Sequence, residues 1–218
     1  MKTRRIAIIT GWSLILMAII AGFSFGYALS EFYQPHKSSF IKSNIQNNTP
    51  LYLYMLIGMF LILILDVIVT YTLYEFFKNC DRKISLLSGV LRMVYTLIFG
   101  LAIFYLTKNL NISELTNEGV NANFHSFESL WSGGLILFGF HILLIGILMK
   151  LHNKIPKILW YLTLIAGISY TIVNALKFIE LNLVFLSKLE IVLAIPMALG
   201  ELGLAVWLLL KGGNHSKI

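Results

Sequence analysis

The segment LILILDVIVTYTLYEFF, residues 61–77, places one carboxylate, Asp66, inside a run of apolar and aromatic residues. A helix needs roughly 20 mainly apolar residues to cross a bilayer core of about 30 Å, and this run, extended upstream to residue 51, is long enough. A charge at mid-membrane costs about 2.5–3.5 kcal/mol on insertion scales, so such a residue usually faces the bundle interior and has a partner. The segment therefore predicts a membrane helix bundle that contains other polar groups near Asp66.

The composition of the whole chain agrees with a membrane location. Of the 218 residues, 58% are hydrophobic and 12% are charged, whereas about a quarter of the residues of an average soluble domain are charged. The single cysteine, Cys80, has no partner for an internal disulfide and no CxxC companion, so cysteine usage indicates neither a redox site nor a zinc site. We therefore expect an integral membrane protein.

Six stretches are apolar and long enough to span a bilayer. They are residues 6–29, 51–77, 85–107, 129–150, 158–178 and 188–210. All are predicted to be helices, because open strands would leave backbone groups unsatisfied in lipid. The external segments 30–50 and 109–126 are too short for a domain of their own, so residues 1–218 are predicted to form a single all-α transmembrane domain. We favour a retained first helix over a cleaved signal peptide, because its apolar run exceeds about 15 residues.

The lysines and arginines predict the orientation of these helices. Eleven of them fall on one side of the predicted bundle: Lys2, Arg4, Arg5, Lys78, Arg82, Lys83, Lys150, Lys154, Lys157, Lys211 and Lys217. Five fall on the other side: Lys37, Lys42, Lys108, Lys177 and Lys188. The positive-inside rule then predicts a cell-membrane protein with both termini in the cytoplasm. Since topology accounts for the net charge of +7, no nucleic-acid partner is expected.

Four ionisable residues from four different helices are expected at a similar depth: Asp66, Arg92, His141 and Glu201. At 1.5 Å per residue, each lies roughly 10–17 Å from the cytoplasmic end of its helix. Arg92 is the expected partner of Asp66, because the short turn 78–84 makes their helices antiparallel neighbours and a guanidinium suits a carboxylate. Glu201 and His141 form the second expected couple. We expect this layer to open, if it opens at all, toward the cytoplasmic half.

Further polar residues surround the layer at helical spacing. The supporting residues are Thr70, Tyr74, Tyr95, Tyr170 and Asn174. No second histidine lies in the layer, so His141 is interpreted as a neutral core histidine rather than a metal ligand. Neither a metal site nor a cofactor is predicted.

The motif GFSFG, Gly22 to Gly26, matches the G-x-S-x-G elbow of serine hydrolases. That chemistry needs a strand, a sharp turn and a base within reach of the serine. Ser24 is expected roughly 27 Å from the cytoplasmic end of its helix and His141 about 14 Å, so the two should not meet. We favour the alternative interpretation of a Gly-x-x-x-Gly face that packs against another helix.

Several long stretches together resemble a bacterial membrane family known as domain-of-unknown-function family 4386. They are DVIVTYTLYEFF, LRMVY, GFHILLIGILMKLHNKIPKILWYLTLIAGISY and GELGLAVWLLLKG. The resemblance covers nearly the whole chain and is strongest over residues 139–212. It implies a shared role for the positions of Asp66, Arg92, His141 and Glu201, but it implies no activity, substrate or cofactor.

Three classes of function remain open. In a small-ligand binder or proton-coupled carrier, His141 would titrate with Glu201 as its partner, while Arg92 would anchor an anionic group or hold Asp66. In a membrane enzyme acting on a lipid-like substrate, Asp66 or Glu201 would be the acid or base. In a scaffold or sensor subunit, the charges would only hold the fold, and the partner would be a second copy or another membrane protein. We favour binding or transport over catalysis.

Overall fold

The computed structural model describes residues 2–33, 41–179 and 184–213, and no strand occurs among them. The helices are α1 (Lys2–Ala21), α2 (Leu29–Phe32), α3 (Ile41–Asn47), α4 (Thr49–Phe77), α5 (Arg82–Thr107), α6 (Asn117–Leu151), α7 (Lys157–Phe178) and α8 (Val184–Leu210). A π-helix, Gly22–Ala28, joins α1 to α2, and a 3-10 helix, Lys108–Glu114, continues α5. Lys37 and Lys217, which were used to predict the orientation, lie outside the described residues.

Six helical stretches of the described chain are long and apolar enough to cross a membrane. They are Thr3–Phe32, Thr49–Phe77, Arg82–Glu114, Asn117–Leu151, Lys157–Phe178 and Val192–Leu210. This confirms the predicted class of an all-α, multi-pass membrane protein.

The fourth spanning helix begins earlier than predicted, at Asn117 rather than at residue 129. The Asn-rich segment 109–126 is therefore not a loop, since it holds most of the 3-10 helix and the first turns of α6. Thr116 Oγ1 caps the helix by accepting a hydrogen bond from the Gly119 N–H at 3.1 Å. Val120, Phe124 and Phe127 recur at helical spacing and are buried. The many asparagines lower the mean hydropathy of the segment and conceal this amphipathic face.

The spanning helices form a closed ring. Each packs against its neighbour in the sequence, in the order α1, α4, α5, α6, α7 and α8, and α8 packs back against α1. The crossing of α6 and α7 is close because Gly139 and Gly167 face each other: a Cβ built on either one would lie 2.9 Å from the other's carbonyl oxygen. Small residues commonly allow such close approach between membrane helices.

Arg4 joins the two ends of the chain. Its guanidinium donates hydrogen bonds to the carbonyl oxygens of Leu208 at 2.9 Å and Gly212 at 2.8 Å, at the C-terminal end of α8. Both described chain ends therefore lie on one face of the ring, which we call the terminal face, and the other side is the opposite face. The half of the bundle nearest the terminal face is filled by a buried apolar cluster that includes Phe76, Leu148 and Trp207.

The predicted Gly-x-x-x-Gly packing face is wrong. A Cβ on Gly22 or Gly26 would meet no heavy atom within 4 Å, so neither glycine permits a close helix contact among the described residues. Ser24 and Ala28 are the buried residues of this segment instead, and a Cβ on Gly58 of α4 would overlap Ser24 Oγ. The wider i to i+5 turn of a π-helix changes which side chains face inward, and the sequence motif does not reveal this change.

Candidate functional site

Asp66 and Arg92 form the predicted ion pair, because α4 and α5 are antiparallel neighbours in the ring. The Arg92 Nε and Nη2 groups both donate to the same carboxylate oxygen, Asp66 Oδ1, at 3.0 Å and 2.6 Å. Each side chain is only 1% exposed. Asp66 Oδ2 has no hydrogen-bond partner among the described residues. The pair is thus tight but leaves one buried carboxylate oxygen available.

His141 joins this network through Arg92 and Ser88 and ties α6 to α5. Its Nε2 lies 3.2 Å from Arg92 Nη1, and its Nδ1 lies 2.8 Å from Ser88 Oγ and 2.9 Å from the Ser88 carbonyl oxygen. A guanidinium only donates, so the network assigns the ring hydrogen to Nδ1, from which it is donated to Ser88. His141 is therefore a neutral histidine that bridges two helices.

The expected couple of Glu201 and His141 is wrong. Glu201 Oε1 instead accepts a hydrogen bond from the Tyr170 hydroxyl of α7 at 2.7 Å. Asn174, one turn further along α7, donates through Nδ2 to the Tyr170 carbonyl oxygen at 2.8 Å. Depth along the helices was predicted from residue spacing, but the rotation of α8 about its axis decides which neighbour the carboxylate meets.

A central cavity of about 420 Å³ lies between Asp66 and Glu201, and all six spanning helices contribute to its wall. Its carboxylates are Asp66, Glu128, Glu190 and Glu201. Its aromatic residues are Phe25, Tyr95, Trp131, Phe138 and Tyr170. The remaining wall is mostly alanine, leucine, methionine and valine, so the cavity combines apolar surface with a few polar groups.

The cavity extends from Asp66 toward the opposite face. Lys177 lies there in the last turn of α7, Glu190 in the second turn of α8, and Glu128 about three turns after the start of α6. Lys177 Nζ pairs with Glu190 Oε1 at 2.6 Å. The sequence predicts that the layer opens toward the half of the bundle that holds the chain termini. The described cavity instead leads from Asp66 away from the terminal face, toward Glu128 and Glu190.

Glu128 lies just before the predicted fourth span, residues 129–150, and was missed as a site residue. Its Oε2 accepts a hydrogen bond from the Tyr33 hydroxyl at 3.2 Å. Burial, and then the charge of Glu128, raise the pKa of Tyr33 to about 12, so the phenol keeps its proton and remains a donor. Recognising the amphipathic start of α6 would have revealed this residue.

Three of the five supporting residues line the cavity: Tyr95, Tyr170 and Asn174. The other two lie elsewhere. Thr70 Oγ1 donates to the Asp66 carbonyl oxygen of its own helix at 2.7 Å, and the ring of Tyr74 lies 6.0 Å from Lys78 Nζ, near the end of α4. Among the residues that the structure describes, no three His, Cys, Asp or Glu side chains are grouped closely enough to hold a metal ion.

Comparisons with known proteins agree with the predicted resemblance. A model of the family described as "Domain of unknown function (DUF4386)" matches residues 9–212. A relative from Archaeoglobus fulgidus, named "Uncharacterized protein", is 32% identical over 166 residues, which are 76% of this chain and 88% of the relative. No solved structure matches the chain. A bacterial origin remains a prediction, but the chain belongs to the family described as domain of unknown function DUF4386.

Proposed function

We propose that this protein binds a small ligand in its central cavity and carries it across the cell membrane in exchange for protons, with both termini in the cytoplasm. The observation that supports this most strongly is the cavity itself. It is lined by all six spanning helices, and two of its carboxylates, Asp66 and Glu201, lie within spanning segments. The proposed orientation rests on the excess of lysine and arginine in the segments of the terminal face.

The size and composition of the cavity suit a small ligand. Ligand pockets usually measure about 300–1,000 Å³ and combine apolar walls with a few polar groups that orient the ligand. The cavity of about 420 Å³ lies in this range. Because each helix of the ring contributes residues to the wall, any shift between helices changes the shape of the cavity.

The four predicted site residues divide into two groups. Arg92 and His141 are held by hydrogen bonds within their own network, behind Asp66, and do not line the cavity themselves. Glu201 is only partly buried, and its Oε1 accepts a hydrogen bond from the Tyr170 hydroxyl. A carboxylate that faces a cavity can hold either a proton or a donor group of a ligand. This competition would couple the movement of protons to the movement of the ligand.

Pro196 provides a point at which α8 could bend. It lies inside the helix, five residues before Glu201, where it lacks the N–H needed for the helical hydrogen bond. The C-terminal end of α8 is held to α1 by Arg4. We infer that the part of α8 before Pro196, on the side of the opposite face, moves to admit and release the ligand.

One observation favours a second candidate, a membrane subunit whose polar core is purely structural. Arg92 donates to Asp66 and to His141, and His141 donates in turn to Ser88, as expected of a network that fixes helix register. Under this alternative the cavity has no ligand, and a second copy or another membrane protein would be the partner. Catalysis on a lipid-like substrate ranks third, because both candidate acid or base residues already have partners: Asp66 pairs with Arg92, and Glu201 accepts from Tyr170.

Transport in liposomes tests the proposal. The purified protein would be reconstituted with a trapped pH-sensitive dye and exposed to three benzyl alcohols with a para-trimethylammonium, para-tert-butyl or para-sulfonate group, which we call the benzyl alcohol panel. We expect at least one member to drive proton movement through the wild type and not through Glu201→Gln. Glu75→Gln is the matched control, because Glu75 pairs with Lys78 at 2.7 Å near the end of α4. Equal proton movement in wild type and Glu201→Gln with every member would contradict the proposal.

A further inference from the structure

We propose that the ligand of the central cavity is a small organic cation with an aromatic or branched apolar body and a hydrogen-bond donor, such as a quaternary ammonium compound that carries a hydroxyl. Glu201 and Glu128 would balance its charge, and the free oxygen of Asp66 would accept from its donor. This inference rests on the proposed function and specifies the chemical class of its ligand.

The charges on the cavity wall favour a cation. Two of its carboxylates already have cationic partners, since Glu190 pairs with Lys177 and Asp66 pairs with Arg92. The other two have phenols as partners: Glu201 accepts from Tyr170 and Glu128 accepts from Tyr33.

Neither Glu128 nor Glu201 forms an ion pair with a lysine or arginine in the described part of the chain. A cleft with low-dielectric walls and an excess of one charge concentrates ligands of the opposite charge. An anionic ligand would find Lys177 already neutralised by Glu190.

Asp66 supplies a second, independent observation. Its side chain is 1% exposed and lines the cavity, yet Oδ2 has no hydrogen-bond partner among the described residues. Buried polar atoms are usually hydrogen-bonded, and an unsatisfied one is destabilising. A ligand donor at the end of the cavity near Arg92 would satisfy this oxygen without displacing Arg92 from Oδ1.

The aromatic residues form walls that suit a cation. Phe25 stacks on Trp131 with ring centroids 4.5 Å apart, and Phe138 contacts Tyr95 at 4.8 Å and Tyr170 at 5.2 Å. Aromatic faces attract cations, and the attraction is stronger at desolvated sites than at exposed ones. Phe138 already makes such a contact, because the Arg92 guanidinium lies 5.2 Å from its ring centroid. A quaternary ammonium group in the same cavity would meet similar surfaces.

Calorimetric titration of the full-length protein in detergent with the benzyl alcohol panel tests this inference. The trimethylammonium and tert-butyl members have nearly the same shape and differ in charge. We expect the wild type to bind the cationic member at least about tenfold more tightly than the neutral one, which corresponds to about 1.4 kcal/mol. Glu201→Gln should remove most of this preference and leave the affinity for the neutral member within about twofold, and Glu75→Gln should keep the preference.

Glu128→Gln provides a second variant in case Glu201→Gln does not fold, and it should reduce the preference in the same direction. If the neutral or anionic member binds as tightly as the cation, or if neither glutamate variant changes the preference, the cationic class is wrong. The proposed ligand cavity would then still stand, because a panel member binds. Absence of binding by all three members would overturn both the cationic class and the proposed binding function.

Discussion

Arg92 directs two of its nitrogens, Nε and Nη2, at a single oxygen of Asp66, at 3.0 Å and 2.6 Å, while Asp66 Oδ2 has no partner in the described part of the chain. A guanidinium often engages both oxygens of a carboxylate in parallel, and this pair does not. The arrangement neutralises Asp66 and still leaves one acceptor beside the cavity. The same residue can therefore stabilise the fold and contact a ligand.

The ion pair predicts strong coupling between its members. Asp66→Asn and Arg92→Gln should each lower the free energy of unfolding by about 3–5 kcal/mol, because each leaves a buried charge without its partner. The double variant should recover much of the loss. Denaturant titration in mixed micelles measures all three variants against wild type. Additive losses in the double variant would show that the two side chains do not stabilise each other.

The bridge made by His141 predicts unequal effects of two substitutions. His141→Phe removes the acceptor of Arg92 Nη1, so it should cost about 1–3 kcal/mol of unfolding free energy. Ser88→Ala should cost less than about 1 kcal/mol, because His141 Nδ1 still donates to the Ser88 carbonyl oxygen. The same micelle titration compares them. A Ser88→Ala loss as large as that of His141→Phe would contradict the assigned hydrogen-bond network.

The close crossing of α6 and α7 predicts that Gly167→Ala is destabilising. The added Cβ would lie 2.8 Å from the Leu143 amide nitrogen and 2.9 Å from the Gly139 carbonyl oxygen, so backbone must shift. Overpacking of this kind costs typically about 1–3 kcal/mol. Gly22→Ala is the matched control and should cost nothing, because no heavy atom lies within 4 Å of its added Cβ. A larger loss of thermal stability for Gly22→Ala than for Gly167→Ala would contradict this account.

His152 predicts a loss of stability in mild acid. It lies just past the end of α6, and its ring stacks on Phe76 with centroids 5.5 Å apart. Burial, together with the charge of Lys154, lowers the pKa of His152 below its usual value. The unfolded chain therefore takes up the proton first, at a pH near 6.5, and stability is lost as the pH falls below that value toward the folded pKa.

Comparing thermal stability at pH 7.5 and pH 5.5 checks this prediction. We expect a smaller decrease in His152→Gln than in wild type, because the glutamine cannot titrate. An identical decrease in both proteins would assign the acid sensitivity to other groups.

The sequence predicted what depends on residue composition and on spacing along one helix. Six spans follow from apolar length, and the partnership of Asp66 with Arg92 follows from the short turn between their helices. Both predictions need only the residues within one helix or within two helices joined by a short turn. The excess of Lys and Arg predicts an orientation in the same way, and that orientation remains a proposal.

The parts that sequence reasoning missed depend on how helices rotate and pack. The hydrogen bond between Tyr170 and Glu201 depends on how α8 is rotated about its axis relative to α7. The spacing of polar residues along α7, such as Ser169 and Tyr170, does not reveal this rotation. The direction in which the cavity extends depends on how side chains from all six spanning helices pack against one another. The start of α6 was concealed by asparagines around Val120 and Phe124. In each case the deciding contact lies between different helices, or on one face of a helix segment whose average composition is polar.

The most direct test of the central claim is chemical access to the cavity. Ser132 lines the cavity and is 4% exposed, whereas Ser169 is 2% exposed, does not line it and donates to the Ile165 carbonyl oxygen of its own helix. Ser132→Cys and Ser169→Cys would each be made in a Cys80→Ser background and treated in detergent with a small trimethylammonium methanethiosulfonate.

We predict that Ser132→Cys is labelled much faster than Ser169→Cys, and that the cationic member of the benzyl alcohol panel slows its labelling. Equal, slow labelling at the two positions would contradict a central cavity that a ligand can enter.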